Sequence, residues 1–508
     1  MAKSFHILLS ESLSRAEKSA KDGIIRSDSM KRLDRERLLK AGCLQQIISG
    51  WYLLTSPTVM QGESTAWFAS FWDFIQQYLD ERFGENYCLS AESSLDILTV
   101  NNVIPRQVVI ITKSGGNNTL SLPGHTSLII YQDQKKFPES VEIKNKLRVM
   151  SIGLALCRSS KLFFQKQPMN AKIALLMLQD SAEVTRHLLR GGMVQSASRL
   201  AGAYHYLGKK DFAEDIIQTM KAGGFEVAQE NPFEESTIKD THQSRRIISP
   251  YHERIINMWE IMRGDVIRHF RKYKPGKENA KKIFQHIEEV YVDDAYNSLS
   301  IEGYKVSKSL IGKIKTGEWN PDKHESDLQK RNALAAKGYY LAFQSIKESI
   351  KKILDGSDAI TVMQRDLRKW YRALFSPSIE AGLIEAEHLA GYRNDRVFIR
   401  HSLHVPPPRE AVMDCMDAFF TCLKNETNPV VRAVLGHFIF VFIHPYMDGN
   451  GRIGRFMMNV LWIDAGYPWT IVRLESRKEY LHSLETASVD KNIAPFAIFL
   501  EKEMSIKW

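Results

Sequence analysis

From Pro250 to about Glu503 the apolar positions recur at helical spacing, which predicts an almost wholly helical C-terminal half. Within it Val434 to Ile443, V-L-G-H-F-I-F-V-F-I, is apolar all round and reads as a buried helix. Arg452 to Ala465 has apolar residues at helical spacing and ends at Gly466, a natural stop. At Asn297 to Gly303, N-S-L-S-I-E-G, Ser298 and Glu302 are four apart and share one helical face, with Gly303 closing the helix. Val397 to Val405 breaks the period: β-favouring residues stand among polar ones ahead of three prolines, which predicts a short hairpin or edge strand. Towards the N-terminus Leu8 to Ala20 reads as a helix and D-G-I-I-R-S-D as a break. Ser29 to Ala41 follows as a second helix, carrying Lys31, Arg32, Arg35, Arg37 and Lys40 and ended by Gly42. Leu44 to Leu54 reads as two strands. Gly223 to Ser249 is polar without helical periodicity and predicts a linker.

Composition leaves this picture intact. A chain of 508 residues, 44% hydrophobic and 25% charged, is ordinary for two to four soluble domains. No apolar stretch has the length of a membrane span, and the start, M-A-K-S-F-H-I-L-L-S-E-S, lacks a signal core, so a cytoplasmic location is expected. Five cysteines, at 43, 88, 157, 415 and 422, form no C-x-x-C pair, and neither a disulfide framework nor a zinc site is suggested. Charge is less even. Net charge is +10, and from Arg245 to Lys282 eleven Lys or Arg face four Asp or Glu, a net +7 stretch that is either a solvated helical face or a nucleic-acid contact.

The densest chemistry lies in H-P-Y-M-D-G-N-G-R-I-G-R, His444 to Arg455. Gly449 and Gly451 flank Asn450, so the backbone can turn sharply and present successive N–H groups to an anion. The helix that follows points its positive end at the same place. Arg452 and Arg455, three apart, lie on one face of its first turn, where forked donors grip phosphates. Asp448 is a hard oxygen ligand suited to Mg²⁺ shared with nucleotide phosphates. His444 is the side chain here that accepts a proton near neutrality. At roughly 5% usage for each of eight specified residues, the chance of meeting this run anywhere in the chain is about 10⁻⁸.

The run resembles the signature of the Fic (filamentation induced by cAMP) family, H-P-F-x-[DE]-G-N-G-R-x-x-R, departing from it in Tyr446 for Phe. That resemblance implies an all-helical core and transfer of AMP from ATP to a hydroxyl of a protein target, on Ser, Thr or Tyr, with Mg²⁺ (or Mn²⁺) as cofactor. It makes His444 the general base and Asp448 the metal ligand. Asn450, with the backbone of Gly449 and Gly451, forms the anion hole. Arg452 steadies the phosphates, and Arg455 holds the γ-phosphate. Ser298-x-x-x-Glu302-Gly303 is similar to the family's inhibitory motif, which implies a Glu302–Arg455 ion pair and a self-inhibited enzyme. Arg393 to Pro408 occupies the place of the family's flap, where Val397, Phe398, Ile399, Arg400, His401 and Ser402 would dock an extended target segment by strand addition. His401 and His404 lack further ligands and read as loop residues.

Helix, turn, basic helix and wing is the order of a winged helix-turn-helix, which assigns Lys31, Arg32, Arg35 and Arg37 to DNA. Gly42 to Leu54, Leu89 to Leu98 and Val103 to Gly115 are similar to antitoxins of AbiE-type abortive-infection systems, which join a winged helix to a small α/β domain and bind promoter DNA. The expected fold is therefore mainly α: a helical Fic core with a short β-hairpin flap, preceded by a winged helix-turn-helix and a small α/β domain. The layout is 1–85 winged helix, 86–225 α/β domain, 226–249 linker, 250–345 helices with the motif at 298–303, and 346–508 catalytic core with flap 393–408 and motif 444–455. Two functions compete. One is a self-inhibited AMP-transferring enzyme, also modifying itself and expected as a homodimer. The other is a DNA-binding regulator whose Fic-like half binds ATP with little turnover. Transfer of another nucleotidyl group is a narrower alternative.

Overall fold

The computed structural model describes residues 5–55, 65–233, 249–271, 275–276, 279–319, 327–384, 389 and 391–506. Most of the linker expected over 226–249 and part of the basic run at 245–282 lie outside them. The chain divides into two compact units, residues 1–250 with 398–405, and 251–397 with 406–508.

The first unit begins with α1 (Phe5–Ser19), β1 (Ile24–Arg26), a single 3₁₀ turn, α2 (Arg32–Lys40), β2 (Leu44–Ile48) and β3 (Trp51–Leu54). The three strands form one antiparallel sheet in the order β1-β3-β2. The segment expected as a plain break thus contains β1, because Ile24 and Ile25 bury their side chains while pairing with Leu53 and Tyr52. Then α3 (Thr65–Phe83) buries Trp67, Phe71, Phe74 and Ile75 against Trp51. After β4 (Tyr87–Leu89) and α4 (Ala91–Leu98), capped by Ser90, come β5 (Gln107–Thr112), β6 (Asn118–Leu122) and β7 (Thr126–Gln132). They form a mixed sheet in the order β4-β5-β7-β6, with β5 and β7 parallel. The hairpin β8 (Glu142–Lys144) and β9 (Leu147–Val149) leads into six helices, α5 (Ile152–Arg158), α6 (Lys161–Lys166), α7 (Pro168–Met177), α8 (Ala182–Gly191), α9 (Val194–Tyr206) and α10 (Lys210–Ala222), around a core that includes Leu156, Leu188 and Leu200.

Residues 398–405 count with this unit. The Ile104 amide donates to Leu403 O at 2.9 Å, the Val405 amide to Asn102 O at 2.7 Å, and Asn102 Nδ2 to Val405 O at 2.9 Å. The hairpin expected over 397–405 does not form. His401 takes a left-handed φ of +60°, so the extended run breaks, and pairing is limited to one bridge between His404 and Val103. The three prolines that follow have no amide N–H to continue a ladder.

Among its described residues the second unit is mainly helical: α11 (Pro250–His269), α12 (Ala280–Ile301), α13 (Lys308–Thr316), α14 (Asp327–Leu354), α15 (Ala359–Glu380), α16 (Val412–Asn425), α17 (Pro429–Ile443), α18 (Asn450–Asp464), α19 (Arg477–Val489) and α20 (Ala494–Met504). Two of them carry the motif. α17 is capped by Asn428, whose side chain accepts from the Val430 and Val431 amides, with Pro429 at its first turn where no N–H is needed. It is buried on almost every face, as its sequence requires, and packs against α18, α16, α19 and α20. α18 starts two residues earlier than its pattern indicates, so Asn450 and Gly451 lie in its first turn; Gly466, at φ +78°, ends it as expected. α14 and α15 form an antiparallel pair that flanks α18.

The approach of that pair depends on Gly338. A Cβ there would lie 2.0 Å from Leu374 O, whereas one at the helical Gly312 meets nothing within 4 Å. Gly338→Ala should therefore cost about 1–3 kcal/mol through overpacking. Gly312→Ala should instead gain roughly 0.5–1 kcal/mol from helix propensity. Thermal midpoints of the two variants check this, and equal midpoints would contradict it.

Candidate active site

The site is built on the turn between α17 and α18. His444 caps α17 in a left-handed conformation, φ +53°, with its amide donating to Phe440 O at 3.0 Å. Its Nδ1 lies 3.1 Å from Val441 O. A carbonyl only accepts, so Nδ1 carries the proton and Nε2 keeps the lone pair. Burial depresses the imidazole pKa below its ordinary value, helped by Arg393, against the Val441 contact and the charges of Glu302 and Asp448. His444 is thus a neutral base at neutral pH.

The aromatic residue of the motif holds the turn from beneath. Tyr446 is 1% exposed and stacks on Tyr371 with ring centroids 3.9 Å apart and planes at 9°, with Tyr392 at 5.6 Å. Asn450 completes the turn rather than lining an anion hole with its side chain. Its Oδ1 accepts from the Tyr446 amide at 2.9 Å and its Nδ2 donates to Tyr446 O at 2.8 Å. The anion nest is therefore a backbone feature, formed where α18 begins at Gly449 with no side-chain cap among the described residues.

Two glycines are required here. Gly449 has φ +78°, and a Cβ on it would meet Phe375 at 2.8 Å and Leu374 at 3.1 Å. A Cβ on Gly451 would stand 2.3 Å from Glu302 Oε1 and 3.2 Å from Arg455 Nη1. That second glycine makes room for a carboxylate at the nest.

The carboxylate arrives from α12, capped at its start by Asn279 and terminated by Glu302 and by Gly303 at φ +89°. Arg455 Nη2 donates to Glu302 Oε1 at 2.8 Å and to Ser298 O at 3.1 Å, while its Nε donates to Ser298 Oγ at 3.0 Å. The residues four apart thus share one face and one arginine. Another turn back, buried Asp294 accepts from Tyr339 Oη at 2.7 Å, and burial lifts its pKa to about 6. Arg455 Nη1 and Arg452 Nε are both buried with no hydrogen-bond partner among the described residues. Orphaned guanidinium donors beside a helix N-terminus suit a phosphate.

Arg452 is 1% exposed, donates Nη2 to Asp448 Oδ2 at 3.2 Å, and lies between Tyr304 and Phe375, 5.1 Å from each ring centroid. The Asp448 carboxylate also accepts from the Gly449 amide at 2.6 Å, and its side chain is more than half exposed. Among the described residues no group of three or more His, Cys, Asp or Glu could hold a metal. A lone accessible carboxylate fits Mg²⁺ or Mn²⁺ when phosphate oxygens and water supply the remaining positions.

The sequence pattern does not reveal every participant. His437 Nε2 lies 2.8 Å from Tyr480 Oη, which itself neighbours Arg455; burial lowers the His437 pKa to about 4. Arg393 grips the His444–Pro445 backbone across 51 positions of sequence. No local spacing announces either. Of the expected flap residues, Val397 belongs to the second unit and 398–402 to the first. In the first unit, three of the four basic residues assigned to DNA are engaged. Arg37 donates to Ser12 and Asp34, Arg32 to Glu36, and Arg35 lies over Tyr52. Arg37 is held against α1, with its side chain about one-fifth exposed.

Residues 361–462, which include the turn, α17 and all but the last two residues of α18, match the model of the Fic/DOC family. Over 223 residues the chain is 30% identical to a "Protein adenylyltransferase Fic" of Nematostella vectensis, covering 42% of this chain and 47% of that protein. A Drosophila yakuba protein of the same name is 27% identical over 282 residues, 54% of this chain and 51% of its own. The chain spans about half the length of the curated relatives it matches. A solved structure of Fic-1 from C. elegans aligns at 19% identity and a TM-score of 0.37, covering 70% of this chain and 95% of that one. No helix among the described residues is long and apolar enough to cross a membrane.

The departure of this site from the family signature is testable by itself. The Tyr446 hydroxyl is buried without a hydrogen-bond partner among the described residues. Tyr446→Phe should leave stability unchanged or raise it by up to about 1 kcal/mol, since an unsatisfied group is removed. Tyr446→Ala should cost about 3–5 kcal/mol by emptying the stack. Denaturant midpoints decide; a large loss in Tyr446→Phe would show that the hydroxyl has a partner.

Proposed function

We propose that the chain is a protein adenylyltransferase restrained by its own Glu302. The observation that carries this reading is the Glu302–Arg455 ion pair at 2.8 Å, set beside an uncapped helix N-terminus. The nest, Arg452 and Arg455 bind the triphosphate of ATP. Binding orients the α-phosphorus toward the target, and positioning supplies much of the catalysis in such transfers. The target hydroxyl oxygen bonds to the α-phosphorus, the bond to pyrophosphate breaks, and His444 Nε2 takes the hydroxyl proton. A divalent cation on Asp448 supplies neutralisation of phosphate charge. While Glu302 holds Arg455, the γ-phosphate lacks its partner and ATP lies unproductively.

The names of the relatives support AMP as the transferred group, and nothing in Arg452 or Arg455 reads the base. Modification of the chain itself and a homodimer that relieves Glu302 belong to the same proposal, as does DNA contact through α2 with Lys31, Arg32, Arg35 and Arg37. The competing regulator reading binds ATP without turnover.

Glu302→Gly should raise transfer from α-³²P-labelled ATP to protein several-fold or more, and His444→Ala in that background should abolish it with ATP binding retained. Absence of transfer from Glu302→Gly under every condition would support the regulator instead. Because the His444 pKa is depressed, its neutral form persists below the ordinary imidazole range. The acid limb of kcat/KM should therefore fall below pH about 6.5, the unperturbed value. A limb above that pH would contradict the assignment of the base.

A further inference from the structure

Arg393 is 5% exposed, and its donors go to backbone carbonyls on three segments. Nε donates to His444 O at 2.8 Å, Nη1 to Asp395 O at 3.1 Å, and Nη2 to Pro407 O; its own amide donates to Pro445 O at 2.8 Å. Asp395 and Pro407 are the two stems of the loop 398–405, and all of these groups lie in the second unit. A planar fork reaching several fixed acceptors is geometry that arginine supplies and lysine does not. Burying that charge is expensive, and burial accordingly pulls its pKa down to about 10. A neutral side chain could satisfy one carbonyl at lower cost.

The carbonyl that Arg393 holds belongs to a residue in a sparsely populated conformation. His444 is a non-glycine residue at φ +53°, and such conformations persist only where surrounding contacts over-determine them. Phe440 O fixes the His444 amide and Val441 O fixes Nδ1, so Arg393 supplies the third anchor, on the carbonyl side. Turning the His444 peptide would swing the imidazole away from Val441 and release the tautomer that leaves Nε2 basic. We propose that Arg393 is the positioning residue for His444: it locks the His-Pro turn to both stems of the flap loop and so fixes the direction and tautomer of the base. Charge adds to this, since Arg393 favours the neutral imidazole against the opposing pull of Glu302 and Asp448.

The inference rests on His444 being the base, but its test has a readout independent of transfer. Full-length protein with ¹⁵N-histidine, the His444 signal assigned by its loss in His444→Ala, is compared as Glu302→Gly and as that variant carrying Arg393→Gln or Arg393→Lys. The parent should show Nδ1 protonated and Nε2 unprotonated, and Arg393→Gln should mix the tautomers. In transfer assays Arg393→Gln should lower kcat about 10-fold or more, as a small misplacement of a reacting group does, with KM for ATP within about two-fold. Arg393→Lys, which keeps charge without the fork, should fall between the two and serves if Arg393→Gln does not fold. An unchanged tautomer signature in Arg393→Gln, or parental kcat in Arg393→Lys, would overturn the proposal. If the parent transfers no AMP while the tautomer signature still responds, the adenylyltransferase reading fails and the positioning role stands.

Discussion

The arrangement turns on Arg455. Its guanidinium is buried on the first turns of α18, and a buried cation must be compensated. In this structure Glu302 and Ser298 compensate it, both from the last turn of α12. The rest of the site follows from letting those two helix ends meet. Gly451 must lack a side chain because the carboxylate lies where its Cβ would be, and Gly449, left-handed at φ +78°, must lack one because Phe375 fills the space a Cβ would take. Asn450 spends its amide on the backbone of Tyr446, which keeps the turn rigid while leaving the nest to main-chain N–H groups.

In the function we propose, restraint and competence are built from the same atoms. Two nitrogens of Arg455 are engaged, Nη2 by Glu302 and Ser298 and Nε by Ser298, while Nη1 is buried without a partner among the described residues. The Glu302 side chain is about one-third exposed. A partly accessible carboxylate on a helix terminus can leave its partner more readily than an enclosed one, since water takes over its solvation. We therefore read the ion pair as a removable stop. His444 stands apart from it, neutral through burial and fixed by contacts at its amide, ring and carbonyl.

Much of this was legible in the sequence because the information is local. Twelve consecutive residues specify the turn, and a four-residue spacing specifies the face that meets Arg455. The helices around them follow from apolar period, and near the N-terminus the two helices and the strand pair over 44–54 follow from turn residues and alternation, whereas β1 does not. What escaped is non-local. Arg393, Tyr371 and Tyr480 reach the turn from distant elements, and nothing in their own neighbourhoods marks them. The sequence does not reveal the Asn450 side chain's bonds to the Tyr446 backbone, because a buried amide inside a phosphate-type motif can face either the anion or the chain. Of the hairpin or edge strand expected over 397–405, the hairpin fails because β-favouring residues make one only where the backbone stays extended, and His401 does not. Arg37 reads as a groove contact by charge alone, yet Asp34 and Ser12 claim it.

The central claim is that Glu302 and the γ-phosphate compete for Arg455. Calorimetric dissociation constants for ATP and ADP, measured with wild type and Glu302→Gly, test it most directly. Removing Glu302 should tighten ATP binding and leave ADP binding unchanged, because only ATP carries the group that takes the vacated nitrogen. Equal changes for the two nucleotides, or none for ATP, would contradict it.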